Sequence, residues 1–115
     1  MEKNYGGMAG GIYSTFNKNV YIENIVMRYN VANKKAGGIY NDLTKNITIT
    51  KSEFFNNTSI LTTGGVFLVE ATVGMYVTDS TFIDNFSYIY GGVGWIENSE
   101  DILFANSYFK GNVGY

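Results

Sequence analysis

Glu70 and Glu97 are separated by an interval that recurs throughout the chain, and paired carboxylates are the groups that acid–base cleavage of a polysaccharide or coordination of Ca²⁺ would require. Around them the catalytic vocabulary is thin. The 115 residues include no His and no Cys, which excludes Ser–His and Cys–His nucleophile pairs, a disulfide framework and His/Cys zinc sites. Ser52, Ser80 and Ser107 recur at similar spacing, yet none has a base beside it in sequence to activate it. Two glutamates also fall well short of the about six to eight oxygens that Ca²⁺ takes. Side by side they would repel unless protonated, bridged by a cation or splayed into water, and splaying at a solvated turn is the expectation. No catalytic residue, metal ligand or cofactor site is assigned on this basis.

The spacing of the two glutamates belongs to the whole chain. Gly10-Gly11, Gly37-Gly38, Gly64-Gly65 and Gly91-Gly92 follow one another at the same constant interval, and each is followed by Ile12, Ile39, Val66 or Val93. A second landmark reads Phe54-x-x-Asn57, Phe82-x-x-Asn85 and Phe109-x-x-Asn112, with Met27-x-x-Asn30 as a variant and Asn4 as the tail of an earlier unit. The intervals along Asn4, Asn30, Asn57, Asn85 and Asn112 stay within a single residue of the glycine interval, so the period tolerates a one-residue slip.

Aligned on the second landmark, the units alternate in character with period two, as strands do. Val20, Ile47, Met75 and Ile102 form one apolar column, and Ile22, Ile49, Val77 and Phe104 form another. Between them Tyr21, Thr48, Tyr76 and Leu103 are mixed and should face outward. This pattern predicts an all-β fold: a right-handed parallel β-helix, or β-solenoid, of about four coils of about 27 residues with three short strands per coil. Residues 1–115 then form a single segment with repeat starts near 10, 37, 64 and 91. At the spacing of paired strands it is about 20 Å long, a window on a longer solenoid.

Within such coils each landmark becomes a ladder. The glycine doublets read as corners that need positive φ or close backbone approach rather than as a phosphate cradle, since no Gly-Lys-Ser/Thr motif follows them. Asn30, Asn57, Asn85 and Asn112 read as stacked amides, beside the apolar ladder of Phe54, Phe82 and Phe109. Tyr13, Tyr40 and Phe67, one residue beyond Ile12, Ile39 and Val66, are expected to point outward as an aromatic stripe. That stripe either platforms a glycan or a partner protein or stacks upon itself. Lys51 and Asp79 are expected to form a surface ion pair.

The surroundings of the chain are only weakly specified. Eight Lys and Arg against ten Asp and Glu leave no basic footprint for nucleic acid, and no apolar run approaches the ~20 residues of a membrane-spanning helix. Residues Met1–Gly7 lack the basic and apolar regions of a signal peptide. Sequons at Asn46, Asn56, Asn57 and Asn85 are a faint sign of a secreted environment.

The pairing of Gly37-Gly38-Ile39 with Phe54-Phe55-Asn56-Asn57, and of Gly64-Gly65-Val66 with Phe82-Ile83-Asp84-Asn85, resembles the polymorphic outer-membrane protein repeat. This resemblance extends over essentially the whole chain. It implies a pectate-lyase-like β-helix with a structural or adhesive role at a cell surface or outside the cell, and it carries over no catalytic residue. Departures are Met27 in place of Phe and Ile or Val where alanine often follows the glycine pair. The leading expectation is a non-enzymatic scaffold or adhesion module, whose partners are neighbouring coils, a glycan or a host surface protein. The alternatives are a fragment of a carbohydrate-active β-helix enzyme and a structural protein that assembles end to end.

Overall fold

The computed structural model describes all 115 residues, Met1–Tyr115. Seventeen short strands make up the chain. A lead-in strand, β1 (Tyr5–Gly6), precedes a first coil of β2 (Ile12–Thr15), β3 (Lys18–Glu23), β4 (Val26–Arg28) and β5 (Val31–Ala32). The second coil holds β6 (Ile39–Asp42), β7 (Lys45–Thr50), β8 (Glu53–Phe55) and β9 (Thr58–Ser59). The third holds β10 (Phe67–Glu70), β11 (Val73–Thr78), β12 (Thr81–Ile83) and β13 (Phe86–Ser87). The fourth holds β14 (Gly94–Glu97), β15 (Glu100–Ala105), β16 (Tyr108–Lys110) and β17 (Val113–Gly114).

Equivalent strands of successive coils pair in parallel and form four sheets. Sheet 1 is β2-β6-β10-β14, sheet 2 is β3-β7-β11-β15, sheet 3 is β4-β8-β12-β16 and sheet 4 is β1-β5-β9-β13-β17. The fold is thus a β-solenoid of about four turns, as the period predicts, with four strands per coil where three were expected. The extra strand is the two-residue segment after the asparagine corner, too short for alternation to reveal it in the sequence.

The interior follows the predicted columns. Val20, Ile47, Met75 and Ile102 are in register, as are Ile22, Ile49, Val77 and Phe104. Ile47, Ile49, Met75 and Val77 are completely buried. Phe54 and Phe82 stack face to face at 4.9 Å, and Phe109 continues the stack at 4.9 Å from Phe82.

Three corners of each coil use a common two-residue device. A residue in the left-handed region turns the chain: Phe16, Leu43, Ala71 and Asn98 between sheets 1 and 2, Asn24, Lys51, Asp79 and Asn106 between sheets 2 and 3, and Tyr29, Asn56, Asp84 and Gly111 between sheets 3 and 4. The next residue is commonly a polar one that points inward and binds backbone. At the first corner the hydroxyls of Thr44, Thr72 and Ser99 donate to the carbonyl two residues earlier. Ser52, Ser80 and Ser107 do the same at the second. The hydroxyl oxygens of Ser80 and Ser107 also accept from the backbone N–H of Ser52 and Ser80 one coil away. A bend that would orphan backbone groups is thereby satisfied from inside.

The glycine doublets answer to close approach, and their structural register differs from their sequence spacing. Gly10, Gly37, Gly65 and Gly92 form one column, as the bonds from Gly10 N to Ala36 O, Gly37 N to Gly64 O and Gly65 N to Gly91 O establish. The step from the second coil to the third is therefore one residue longer than the doublets suggest, as it is for Phe54 and Phe82. A Cβ on Gly37 would lie 2.3 Å from the Gly65 carbonyl oxygen and 2.6 Å from the Thr58 nitrogen. Both are ladder backbone that cannot retreat.

Gly37→Ala should accordingly destabilise the chain by about 3 kcal/mol or more. Gly7→Ala, where an added Cβ meets nothing within 4 Å, should change stability by less than about 0.5 kcal/mol. Urea unfolding of the two variants side by side measures the contrast.

Candidate functional site

The slipped glycine register decides which aromatic residues reach the surface. Ile12, Ile39, Phe67 and Gly94 share one column of sheet 1, and Tyr13, Tyr40, Leu68 and Trp95 share the next. Phe67 therefore faces the core, fully buried and edge-on to Phe54 and Phe82. This corrects its expected place in an outward stripe. The doublet suggested a step one residue shorter than the ladder takes, and a one-residue slip moves a strand residue to the opposite face. Gly94 lies on the same inward column as Phe67, and Leu68 and Trp95 continue the outer one.

Tyr13 and Tyr40 do lie on the outer face of sheet 1, but they use their faces on each other. Their rings are 4.9 Å apart and within 5° of parallel. Tyr40 is only 4% exposed, with the Lys35 ammonium 5.4 Å above its ring. Tyr90 covers Trp95 in the same manner at 5.0 Å. A sugar ring needs an open aromatic face, and this column offers few.

Beside it lies a polar cluster of Tyr40, Lys35 and Glu70. Glu70 and Glu97 are in register on β10 and β14, as their shared spacing implied, yet Glu70 is not splayed into water. Its carboxylate accepts from the Tyr40 hydroxyl and, at 3.3 Å, from the Lys35 Nζ. Burial pushes the Glu70 carboxyl up, while hydrogen bonds from Tyr40 and Lys35 and the Lys35 charge outweigh it and hold the group below its ordinary value. Burial and the bond to Glu70 push Tyr40 upward, so the phenol stays a donor. Asp42 completes the acidic column. No group of three or more His, Cys, Asp or Glu side chains converges on a metal position.

The Asn column forms a continuous amide ladder from Asn4 to Asn112. Asn57 Oδ1 accepts from the backbone N and Nδ2 of Asn30 at 3.2 and 3.0 Å. Asn57 Nδ2 donates to the Met27 carbonyl and to Asn85 Oδ1, each at 3.0 Å. The same pattern ties Asn85 to Asn112 and Asn4 to Asn30. Lys51, in contrast, departs from its expected partner: its Nζ reaches Glu23 at 2.9 Å on the neighbouring coil, rather than Asp79. The Glu23 hydrogen bond raises the Lys51 ammonium above its usual value.

Lys35 escapes a reading by columns because it sits in the corner before sheet 1 and reaches diagonally across the coils to Glu70. The register slip was visible in the Phe and Asn landmarks, whose step from the second unit to the third, Phe54 to Phe82 and Asn57 to Asn85, is longer than the others. Asn41, buried on the inner face of sheet 1, has an Nδ2 without a hydrogen-bond partner, and nothing in its surroundings explains it. No family model, curated protein or solved structure matches the chain.

Replacing Asn57 by Ala takes the shared acceptor from the Asn30 N–H and Nδ2 and the Nδ2 donor from the Met27 carbonyl, in a dry corner. A loss of about 2–4 kcal/mol is expected in chemical denaturation. Glu70→Gln should cost about 1 kcal/mol near pH 7, the pair being only partly buried. Because the folded carboxyl titrates below its unfolded value, its contribution is complete above that value and is lost as pH falls through the folded one. The gap between wild type and Glu70→Gln in thermal unfolding should therefore close as pH drops below 4.5.

Proposed function

We propose that this chain is a non-enzymatic scaffold module of a surface or extracellular protein, a solenoid that holds its lateral faces rigid for adhesion. The observation that carries the reading is the unbroken in-register amide ladder running through all four coils, with a stack of phenylalanine rings beside it through the last three. Such a ladder makes each coil a template for the next, as repeat scaffolds require. Further coils, of the same chain or of another copy, would extend it on the same register. The likeness of the Gly-Gly-Ile/Val and Phe-x-x-Asn landmarks to the polymorphic outer-membrane protein repeat supports a place at a cell surface. Engagement of Glu70 by Tyr40 and Lys35 supports a structural use of that carboxylate.

One observation favours a second reading. Glu70 and Glu97 lie on adjacent strands at a half-exposed face, and two neighbouring carboxyls are what a glycosidase or lyase of this shape would employ. Incubation of the chain with acidic and neutral polysaccharides separates the two. The scaffold reading expects neither new reducing ends nor unsaturated products. Reproducible cleavage that disappears in Glu70→Gln or Glu97→Gln would replace it with the enzyme.

A further inference from the structure

Sheet 2 is the widest sheet of the solenoid, and its outer face differs from that of sheet 1. Tyr21, Thr48, Tyr76 and Leu103 occupy its central outward column. Tyr21 is 64% exposed and Tyr76 41%, and neither stacks on another ring as Tyr13 and Tyr40 do. The two tyrosines are two coils apart, roughly 10 Å at the spacing of paired strands. The smaller Thr48 lies between them. They form two aromatic walls over a hydroxyl floor, aligned with the solenoid axis.

One flank of this track is cationic. Lys18 and Lys45 are in register on adjacent coils at the start of β3 and β7. Both are exposed, and neither has a carboxylate within ion-pair distance. On the opposite flank Glu23 is neutralised by Lys51, and the Thr78 hydroxyl donates to that of Thr50 at 3.0 Å. In the fourth coil the Lys column ends in Glu100, followed by Asp101. The track is therefore positive over the first two coils and closed by acids at the fourth, in a chain of net charge −2.

We propose that the outer face of sheet 2 binds a linear acidic polysaccharide, a uronate chain lying along the solenoid axis over the first three coils. Alternate sugar rings rest on Tyr21 and Tyr76, with about two sugar units of an extended chain matching their separation. Ring carboxylates meet Lys18 and Lys45. Hydroxyls meet Thr48 and the amide pair in which Asn46 Nδ2 donates to Asn19 Oδ1 at 3.1 Å. An extended peptide fits this surface less well, because the interior strands have already committed their backbone groups to the ladder and leave none for strand addition. Sugar rings require only aromatic faces and side-chain hydrogen bonds. The inference gives the adhesive reading a ligand class and rests on it.

The test titrates the 115-residue chain with a (1→4)-linked oligogalacturonate, and with the same oligomer after reduction of its carboxyls, by calorimetry and amide chemical shifts. Saturable binding is expected, at least tenfold tighter for the uronate and weakened by salt, with shifts mapping to β3, β7 and β11. Tyr21→Ala and Tyr76→Ala should each lower affinity about tenfold, the loss of one stacking face. The paired change Lys18→Gln with Lys45→Gln should abolish the preference for the charged oligomer. Tyr13→Ala, on sheet 1, should leave binding unchanged, and matching thermal unfolding confirms that each exposed-site variant is folded. Absence of saturable binding, equal affinity for the reduced oligomer, or an affinity unchanged by Tyr76→Ala would overturn the proposal. New reducing ends or unsaturated products would instead overturn the non-enzymatic reading, so the two failures are distinguishable.

Discussion

Parallel in-register stacking places each side chain against its own counterpart one coil away, and the rest of this molecule follows from that constraint. A sheet in an ordinary domain can oppose unlike residues and balance charge or bulk across strands. Here a column must tolerate its own kind or break. Amides tolerate it best, since each has a donor and an acceptor that can point opposite ways along the axis. The run from Asn4 to Asn112 uses both, and its Nδ2 groups also donate to backbone carbonyls one coil back, those of Met1, Met27, Phe54 and Phe82. Rings tolerate it as well, as in Phe54, Phe82 and Phe109.

Carboxylates do not, and the acidic column shows how the fold manages the conflict. Asp42, Glu70 and Glu97 succeed one another on adjacent strands, where like charges repel. The relief comes from outside the column. Lys35 reaches in from the preceding corner, and the neighbouring tyrosine column supplies the Tyr40 hydroxyl. Tyr40 thereby serves two ladders, stacking on Tyr13 with its ring and binding Glu70 with its oxygen. A residue that looked like half of a ligand platform is a structural tie between columns.

The columns themselves were legible because inward positions repeat both chemistry and spacing. Val20 to Ile102, Ile22 to Phe104 and the Phe and Asn ladders can be read directly from the chain. The glycine doublet misled because two adjacent glycines can be matched in either of two registers. Gly64 pairs with Ala36 in the true one, leaving Gly65 beneath Gly37, and the mismatch carried Phe67 from the surface into the core. The left-handed corners were illegible for a different reason. Phe16, Leu43, Tyr29 and Lys51 adopt positive φ although such residues disfavour it, because the inward Thr, Ser or Asn that commonly follows, together with the coils on either side, sets the turn. Composition can suggest a corner rich in Asn and Gly. It cannot say that a Phe turns there.

The same constraint divides work between inside and outside. Interior columns and corners must be alike from coil to coil, so little in them can be specific to a ligand. Only outward positions on the flat sheets are free to vary, and the two widest sheets have used that freedom differently. On sheet 1 the outward residues bind one another, through Tyr13 on Tyr40, Tyr90 on Trp95 and Lys35 on Glu70. On sheet 2 the rings and the lysines stay apart: Thr48 separates Tyr21 from Tyr76, and Lys18 and Lys45 lack carboxylate partners although like charges adjoin. A stabilising role would have favoured the stacked and paired arrangement that sheet 1 adopts. Unstacked rings and unpaired cations, aligned along the solenoid axis, are the outward groups that the fold leaves uncommitted, which is why the proposed ligand is placed on this face and not on sheet 1.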